Sequence, residues 1–334
     1  MTRFFITRCF TRRLALGVAI VAMAALSSAA TSVQAQGAAL LRVILPVGAG
    51  SGVDTIMRAA QGELSKALGG QAIVIDNMPG AGGITGTTAI VKAAPDGRTI
   101  GVVSNNHAVN PSVFKKLPYD SINDLTPISV VGSTPFVLVV NPSKVPAKNA
   151  KELQTFLKAK PGGYNYASSG NGTIIHLAGE MFVDAAAVEV KHIPYKGTGQ
   201  QVADLIGGQV EMGVVAVPVV QGHLKGGALR AIGVMGKVRV ASLPDVPTIA
   251  EQGFPEVDVA GWFAVVGPAK MPAAQIKRIH DAFVTAFNNA ELKATMAKQD
   301  NVIAPTTPEA ALAFFKSEQV RYAKLADKAG IRLD

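Results

Sequence analysis

From residue 42 onward, short apolar runs alternate with segments in which apolar residues recur every three or four positions. The runs at 42–47, 72–75 and 99–103 have strand length and predict buried strands, while 53–68 and 84–92 carry the helical period. A second series begins near 136–140. It continues through a helix at 150–158, a strand at 164–167, a helix at 174–186, a strand at 188–193, a helix at 200–206 and a strand at 210–216. After Pro272, the residues Ile276, Ile279, Phe283 and Phe287 share one helical face. Thr307-Pro308 then supplies an N-cap and a first-turn proline for a last helix carrying Leu312, Phe315 and Tyr322. Between these lies the run Gly261 to Pro268, an apolar strand bounded by glycine and proline. Strands alternating with helices predict an α/β protein of two lobes, each a mostly parallel sheet flanked by helices. The chain is expected to cross between lobes near 138–145 and to return near 259–268. That division gives residues 36–140 with 262–334 to the first lobe and 141–261 to the second.

The first 35 residues follow a different pattern. Arg3, Arg8, Arg12 and Arg13 precede an uncharged apolar stretch from Leu14 to Leu26, and small residues lead to Val33-Gln34-Ala35. Basic, then apolar, then small at −3 and −1 is the order of a cleavable signal peptide, with cleavage near Ala35 and a periplasmic destination. The apolar stretch is too short for the roughly 30 Å of a bilayer's hydrocarbon. Thr11-Arg12-Arg13-Leu14 loosely resembles a twin-arginine signal, so the export route, general secretory or twin-arginine, stays open.

Export changes the reading of the composition. Cys9 is the only cysteine and leaves with the signal, so the mature chain has no disulfide and no thiolate metal site. Removing the four arginines lowers the net charge from +9 to +5, with 28 basic residues against 23 acidic. The basic residues are scattered without interleaved aromatics, which argues for a mild bias towards small anions and against nucleic acid. The mature histidines, His107, His176, His192, His223 and His280, have no paired metal spacing, and there is no G-x-S-x-G elbow. No cofactor or metal is expected.

Three turns share one design: a strand end, small residues, then a helix start. The first runs from Pro46 to Asp54, where Ser51 and Asp54 fit a Ser-x-x-Asp cap. The second is Ser168-Ser169-Gly170-Asn171-Gly172-Thr173, with Thr173 as N-cap. The third is Tyr195-Lys196-Gly197-Thr198, where Thr198 and Gln201 have capping-box spacing. A helix start offers unpaired N–H groups and roughly half a positive charge, and glycine lets a ligand approach the backbone. Such loops can hold a carboxylate without arginine. Each could equally be a well-capped strand-to-helix turn; it is their number, spread over both lobes, that points to a cleft. The first loop also imitates a dinucleotide site, since Gly48, Gly50 and Gly52 precede a helix and a strand ending at Asp76. Its spacing is G-x-G-x-G rather than G-x-G-x-x-G, Pro46 interrupts the strand end, and export removes the chain from the cofactor pool. Gly80-Ala81-Gly82-Gly83 is a second glycine cluster, equally weak alone. Trp262, the only tryptophan, is expected to pack at the crossover.

The same residues carry a family resemblance. Arg42 to Asp54 and Ile75-Asp-Asn-Met-Pro-Gly-Ala-Gly-Gly83 resemble the start of tripartite tricarboxylate transporter substrate-binding proteins, the TctC-like group also called Bug receptors. So do Ala93-Ala-Pro-Asp-Gly97, Lys116-Leu-Pro-Tyr-Asp120, Tyr166 to Thr173, His176-Leu-Ala-Gly-Glu180, Ile193-Pro-Tyr-Lys-Gly197, Leu205-Ile-Gly-Gly-Gln209 and Leu243-Pro-Asp-Val-Pro-Thr248. The match runs in order from about residue 40 to 331. It implies a type II periplasmic binding protein, monomeric, whose two lobes close on a small organic acid and which docks on membrane permease subunits. Backbone amides, hydroxyls and ordered water hold the acid in that family.

The ligand residues expected on this reading are Val47, Gly48, Ala49, Gly50, Ser51 and Gly52 of the first loop. The second loop adds Ser168, Ser169, Gly170, Gly172 and Thr173, with His176 one turn into its helix; Thr198 comes from the third. Asp54 is assigned to loop capping. Where many family members have Phe-Asp-Asn, this chain has Val214-Val215-Ala216, so Val215 and Ala216 are expected to face the ligand as apolar groups. The expected ligand is a mono- or dicarboxylate with an apolar or aromatic body, rather than an amino acid. The alternatives carried alongside are an exported hydrolase on the same fold and a receptor feeding a signalling partner.

Overall fold

In β1 (Leu41–Leu45) every residue except Arg42 is fully buried, as in a strand covered on both faces. The computed structural model describes residues 40–333, so the expected signal peptide, with Cys9 and Ala35, lies outside the described residues. β1 runs parallel to β2 (Ile73–Asn77) on one side and to β3 (Thr99–Ser104) on the other. The connecting helices α1 (Gly52–Ala67) and α2 (Ile84–Val91) complete two strand–helix–strand units. β10 (Gly261–Pro268), β4 (Leu125–Thr134) and β11 (Val302–Ile303) continue this first sheet with antiparallel pairing, giving the order β11-β4-β10-β3-β1-β2. Helices α3 (Asn106–Val113), α8 (Ala273–Asn288), α9 (Ala290–Lys298) and α10 (Pro308–Lys328) pack in the same lobe.

The second sheet has the order β7-β6-β8-β5-β9, from β5 (Phe136–Val140), β6 (Asn165–Ser168), β7 (Lys191–Pro194), β8 (Met212–Ala216) and β9 (Arg230–Val234). Its helices are α4 (Ala150–Lys158), α5 (Ile174–Ala186), α6 (Thr198–Ile206) and α7 (Val217–Lys225). β6 is parallel to β7 and β8, whereas β5 is antiparallel to β8 and β9.

Two expectations change. The two-lobed α/β class stands, but the sheets are mixed rather than mostly parallel. The strand–helix–strand units pair in parallel, while β10 and β5, next to the crossovers, run against their neighbours. The expected crossing at 138–145, and the lobe boundary at residue 140, would leave β5 in the first lobe. Its hydrogen bonds to β8 and β9 put it in the second sheet, and the chain changes sheet at Pro135. Proline has no N–H to give a ladder, so the apolar stretch on either side of it splits there into two strands. The return falls just before Gly261, where β10 begins, after Val259 N–H bonds Met235 O at 2.8 Å.

One apolar cluster runs from the first lobe through Trp262 and Phe315 to Leu138, Tyr166 and Phe182 in the second. Trp262 stacks on Phe315 (5.5 Å between centroids) and donates its indole N–H to the buried carboxylate of Glu318 at 2.8 Å. The crossover is therefore a packed junction between strand β10 and helix α10.

Candidate functional site

Loops leaving the carboxyl ends of β1, β3, β6, β7 and β8 converge between the lobes, where α/β sheets characteristically hold ligands. The first is fixed from behind by Asp54. Its Oδ2 accepts from Gly50 N–H at 2.9 Å, and its Oδ1 accepts from Arg58 Nε at 2.9 Å and Asn77 Nδ2 at 3.0 Å. Asn77 also donates to Val47 O at 3.3 Å, and Ser51 Oγ accepts Asp54 N–H at 3.3 Å. Burial raises the Asp54 pKa, but the donors Arg58, Gly50 and Asn77 outweigh it and hold the carboxyl below its usual range. Asp54 lies behind the loop and does not line the cleft.

The second loop rests on two histidines. Thr173 caps α5 through the N–H of His176 at 3.2 Å, and Gly172 N–H donates to His176 Nδ1 at 3.2 Å. The His176 ring stacks on His192 at 3.8 Å and 7° between planes, and His192 Nε2 pairs with Ser168 Oγ at 2.6 Å. Ser168 in turn bonds both N–H and C=O of Gly170 at 3.1 Å. Glu180 lies beside His176 and accepts from the Tyr166 hydroxyl. Burial, reinforced by the neighbouring His176, lowers the His192 pKa to about 4, against a smaller opposing pull from Glu180.

The third loop departs from expectation. Thr198 is the first residue of α6, and its N-cap is Gly197 with no side-chain bond, so the expected capping box is absent. Gln201 instead sends Nε2 to two strand carbonyls, Ala167 O at 3.1 Å and Val214 O at 2.8 Å. Gly197 sits at φ +136° and ψ 170°, a region almost reserved for glycine. A Cβ on Gly48 would lie 3.7 Å from Gly197 Cα, so the first and third loops meet across the cleft.

Together these loops enclose an outer cavity of about 560 Å³ that opens into an inner chamber of about 80 Å³. Val47, Ser51, Asn106, Ser169 and Thr198 line both. Of the expected residues, Gly48, Gly170 and Thr173 line the outer cavity, and Gly52, Val215 and Ala216 line the inner chamber. Ala49 and Gly50 are exposed on the far side of their turn. Ser168, Gly172 and His176 are buried behind the second loop and support it rather than line the space.

Several lining residues were not anticipated. Asn106 follows β3, and its Oδ1 takes the N–H of Ile174 across the cleft at 2.8 Å. Phe114 and the glycine cluster from Gly80 to Gly83 close one side of the outer cavity. Thr134, Phe136, Gln201 and Trp262 line the inner chamber, so Trp262 serves both the junction and the site. For Thr134 and Phe136 the signal was their place beside the crossover at Pro135.

The chemistry of the lining is uniform. Lys196, exposed at the rim, is the only charged side chain on either cavity wall among the described residues. The first turns of α1, α5 and α6 each contribute residues to the wall, and a helix start leaves N–H groups without intrahelical partners. Amides, hydroxyls and three helix starts thus face a space whose inner end is mostly apolar. That arrangement suits an anion with a carbon body.

Comparisons with known proteins agree with this geometry. The model of the tripartite tricarboxylate transporter family receptor matches residues 56–330. Protein BugT of Bordetella pertussis is 34% identical over 295 residues, covering 88% of this chain and 90% of that protein. A solved structure of a periplasmic transporter superposes with a TM-score of 0.85 at 35% identity, over 90% of this chain and all of that one. An R. palustris protein solved with adipate superposes with a TM-score of 0.85 at 27% identity, over 89% of this chain and 99% of that one.

Proposed function

The chain belongs to the tripartite tricarboxylate transporter receptor family, and from that premise we propose that it is a periplasmic receptor which closes on a small organic carboxylate and delivers it to a transporter permease. The observation that carries this reading is the cavity wall. Three helix starts and several hydroxyls face a space that no acidic side chain lines among the described residues. The carboxylate belongs where the two cavities meet, among the first-turn N–H groups near Ser51, Ser169 and Thr198, which line both. The inner end, with Phe136, Val215, Ala216 and Trp262, suits an apolar or aromatic body, and the adipate bound by a relative is such an acid. An α-ammonium there would lose its water with no carboxylate to replace it, a penalty of several kcal/mol as an order of magnitude.

A hydrolase on the same fold would need a nucleophile open to substrate. Ser168 and His192 form the one hydrogen bond between a serine hydroxyl and a histidine ring among the described residues, but Ser168 is fully buried and committed to its own loop.

Native mass spectrometry of freshly purified mature protein tests the reading. It should show one small acid per chain, recovered at unchanged mass after prolonged incubation. A bound nucleotide or neutral sugar, or conversion of the acid, would contradict it.

A further inference from the structure

Asn106 reaches across the cleft with one corner of its carboxamide and leaves the other corner free. The residue is half-buried, follows directly on β3 in the first lobe, and lines both cavities. Its Oδ1 accepts the N–H of Ile174, the first residue of α5 in the second lobe, at 2.8 Å. A backbone N–H can only donate, so the corner it meets must be the oxygen, and the amide nitrogen takes the other corner. Nothing among the described residues accepts from that nitrogen, and it is not sealed from solvent. Val47, Ser51, Ser169 and Thr198 also line both cavities, and Asn106 alone of this group carries an N–H on its side chain.

The neighbouring Asn105 fixes where that group stands. Its Oδ1 accepts Trp262 N–H at 2.9 Å, and its Nδ2 donates to Ala260 O at 2.9 Å and to the Tyr322 hydroxyl at 2.6 Å. The backbone leading into Asn106 is thereby anchored to the return crossover. We propose that Asn106 couples capture to closure: Nδ2 donates to the ligand carboxylate where the cavities meet, while Oδ1 holds the start of α5. An anion on one corner of an amide polarises it and makes the oxygen on the other corner a stronger acceptor. The bound carboxylate thus tightens the hydrogen bond that spans the lobes, and a neutral group in its place does so less. This rests on the carboxylate reading above and adds the side chain that reads the charge.

Two substitutions separate the halves of this role. Asn106→Asp keeps an oxygen for Ile174 N–H at nearly the same shape but sets a negative charge against the ligand; Asn106→Ala removes both corners. Calorimetry and stopped-flow binding with hexanoate, adipate and benzoate follow them, beside the melting temperature of each empty protein. For the acid that the wild-type protein binds most tightly, Asn106→Ala should weaken affinity about tenfold to a hundredfold, the range for a lost hydrogen bond to a charged group. Most of that loss should appear as faster dissociation. Asn106→Asp should bind about tenfold or more weaker still, because like charges then face each other. A side chain that only latched the lobes would give the opposite order, with Asn106→Asp close to wild type, and that result would overturn the inference. So would wild-type affinity in Asn106→Ala. Should Asn106→Asp not fold, Asn106→Leu, of similar volume without either polar atom, takes its place, and wild-type affinity there would again overturn the inference. These outcomes leave the carboxylate reading intact. No binding of any of the three acids by the wild-type protein would overturn both.

Discussion

Asp54 gathers Gly50, Arg58 and Asn77 on one carboxylate and so sets the shape of a loop it does not share with the ligand. Asp54→Ala should destabilise the protein by about 2 kcal/mol, since a charge-assisted hydrogen bond to a buried carboxylate is lost and Gly50 N–H is left open. The partly exposed Arg58 adds little to that figure. Ligand affinity should fall with it, because Val47 to Ser51 loses its brace; unchanged melting and affinity would refute the bracing role. The buried histidines give a pH dependence. Burial lowers the His107 pKa to about 4 against the usual 6.5, with a smaller opposing effect from its bond to Ser121 O. The unfolded chain then binds the proton near pH 6.5 and the folded chain only near 4. Stability should be level above pH 6.5 and decline between there and about 4. By pH 5 the loss from His107 is roughly 2 kcal/mol, with a smaller share from the less buried His192. Urea unfolding at pH 7.5 and pH 5 measures it, and equal midpoints would contradict the assignment.

At the scale of elements, the site depends on loops that arrive at the right length after strands. Gly197 holds its φ of +136° where the third loop meets Gly48, so Gly197→Ala should strain that contact by about 1–3 kcal/mol. The expected result is affinity weakened about tenfold or more with far-ultraviolet circular dichroism unchanged; unchanged affinity would mean that the loops do not meet when ligand is bound. Elements with a clear period or a strong cap were legible in the sequence. α4 (Ala150–Lys158) and α5 (Ile174–Ala186) fall on the expected residues, and Thr307 caps α10 through Ala310 N–H. Elements whose signal is masked were not. β4 is interrupted by Pro127 and by several polar residues, and α3 contains Pro111 and has little periodicity. In α7, the apolar run of β8 continues into the helix, and the change of direction at Val217 is marked by a first-turn proline, Pro218, without a capping side chain. The site was legible where loops carry small residues and caps, as at Ser51 and Thr173. It was hidden where tertiary contacts decide, as at Asn106 and Gln201, whose partners are far away in sequence.

The lobes are held by a packed junction and by polar contacts outside the cleft. Lys328 pairs with Asp184 at 3.1 Å, Gln221 Nε2 donates to Lys298 O at 3.1 Å, and Ser242 N–H donates to Asp300 at 2.9 Å, each bridging the lobes. With Ile174 N–H on Asn106, these describe closed lobes. Two short connections, at Pro135 and before Gly261, leave hinge motion as the simplest route to an open form. Small-angle scattering should then give a smaller radius of gyration with a bound acid than without one. An identical radius in both states would argue against capture by closure.

The most direct test of the central claim is a thermal-shift and calorimetric panel on the mature protein. It sets aliphatic and aromatic mono- and dicarboxylates against their methyl esters and against aspartate. The account predicts that acids with an apolar or aromatic body raise the melting temperature and bind one per chain, while the esters and aspartate do not. A large shift with aspartate and none with the less polar acids, or esters binding as well as acids, would contradict it.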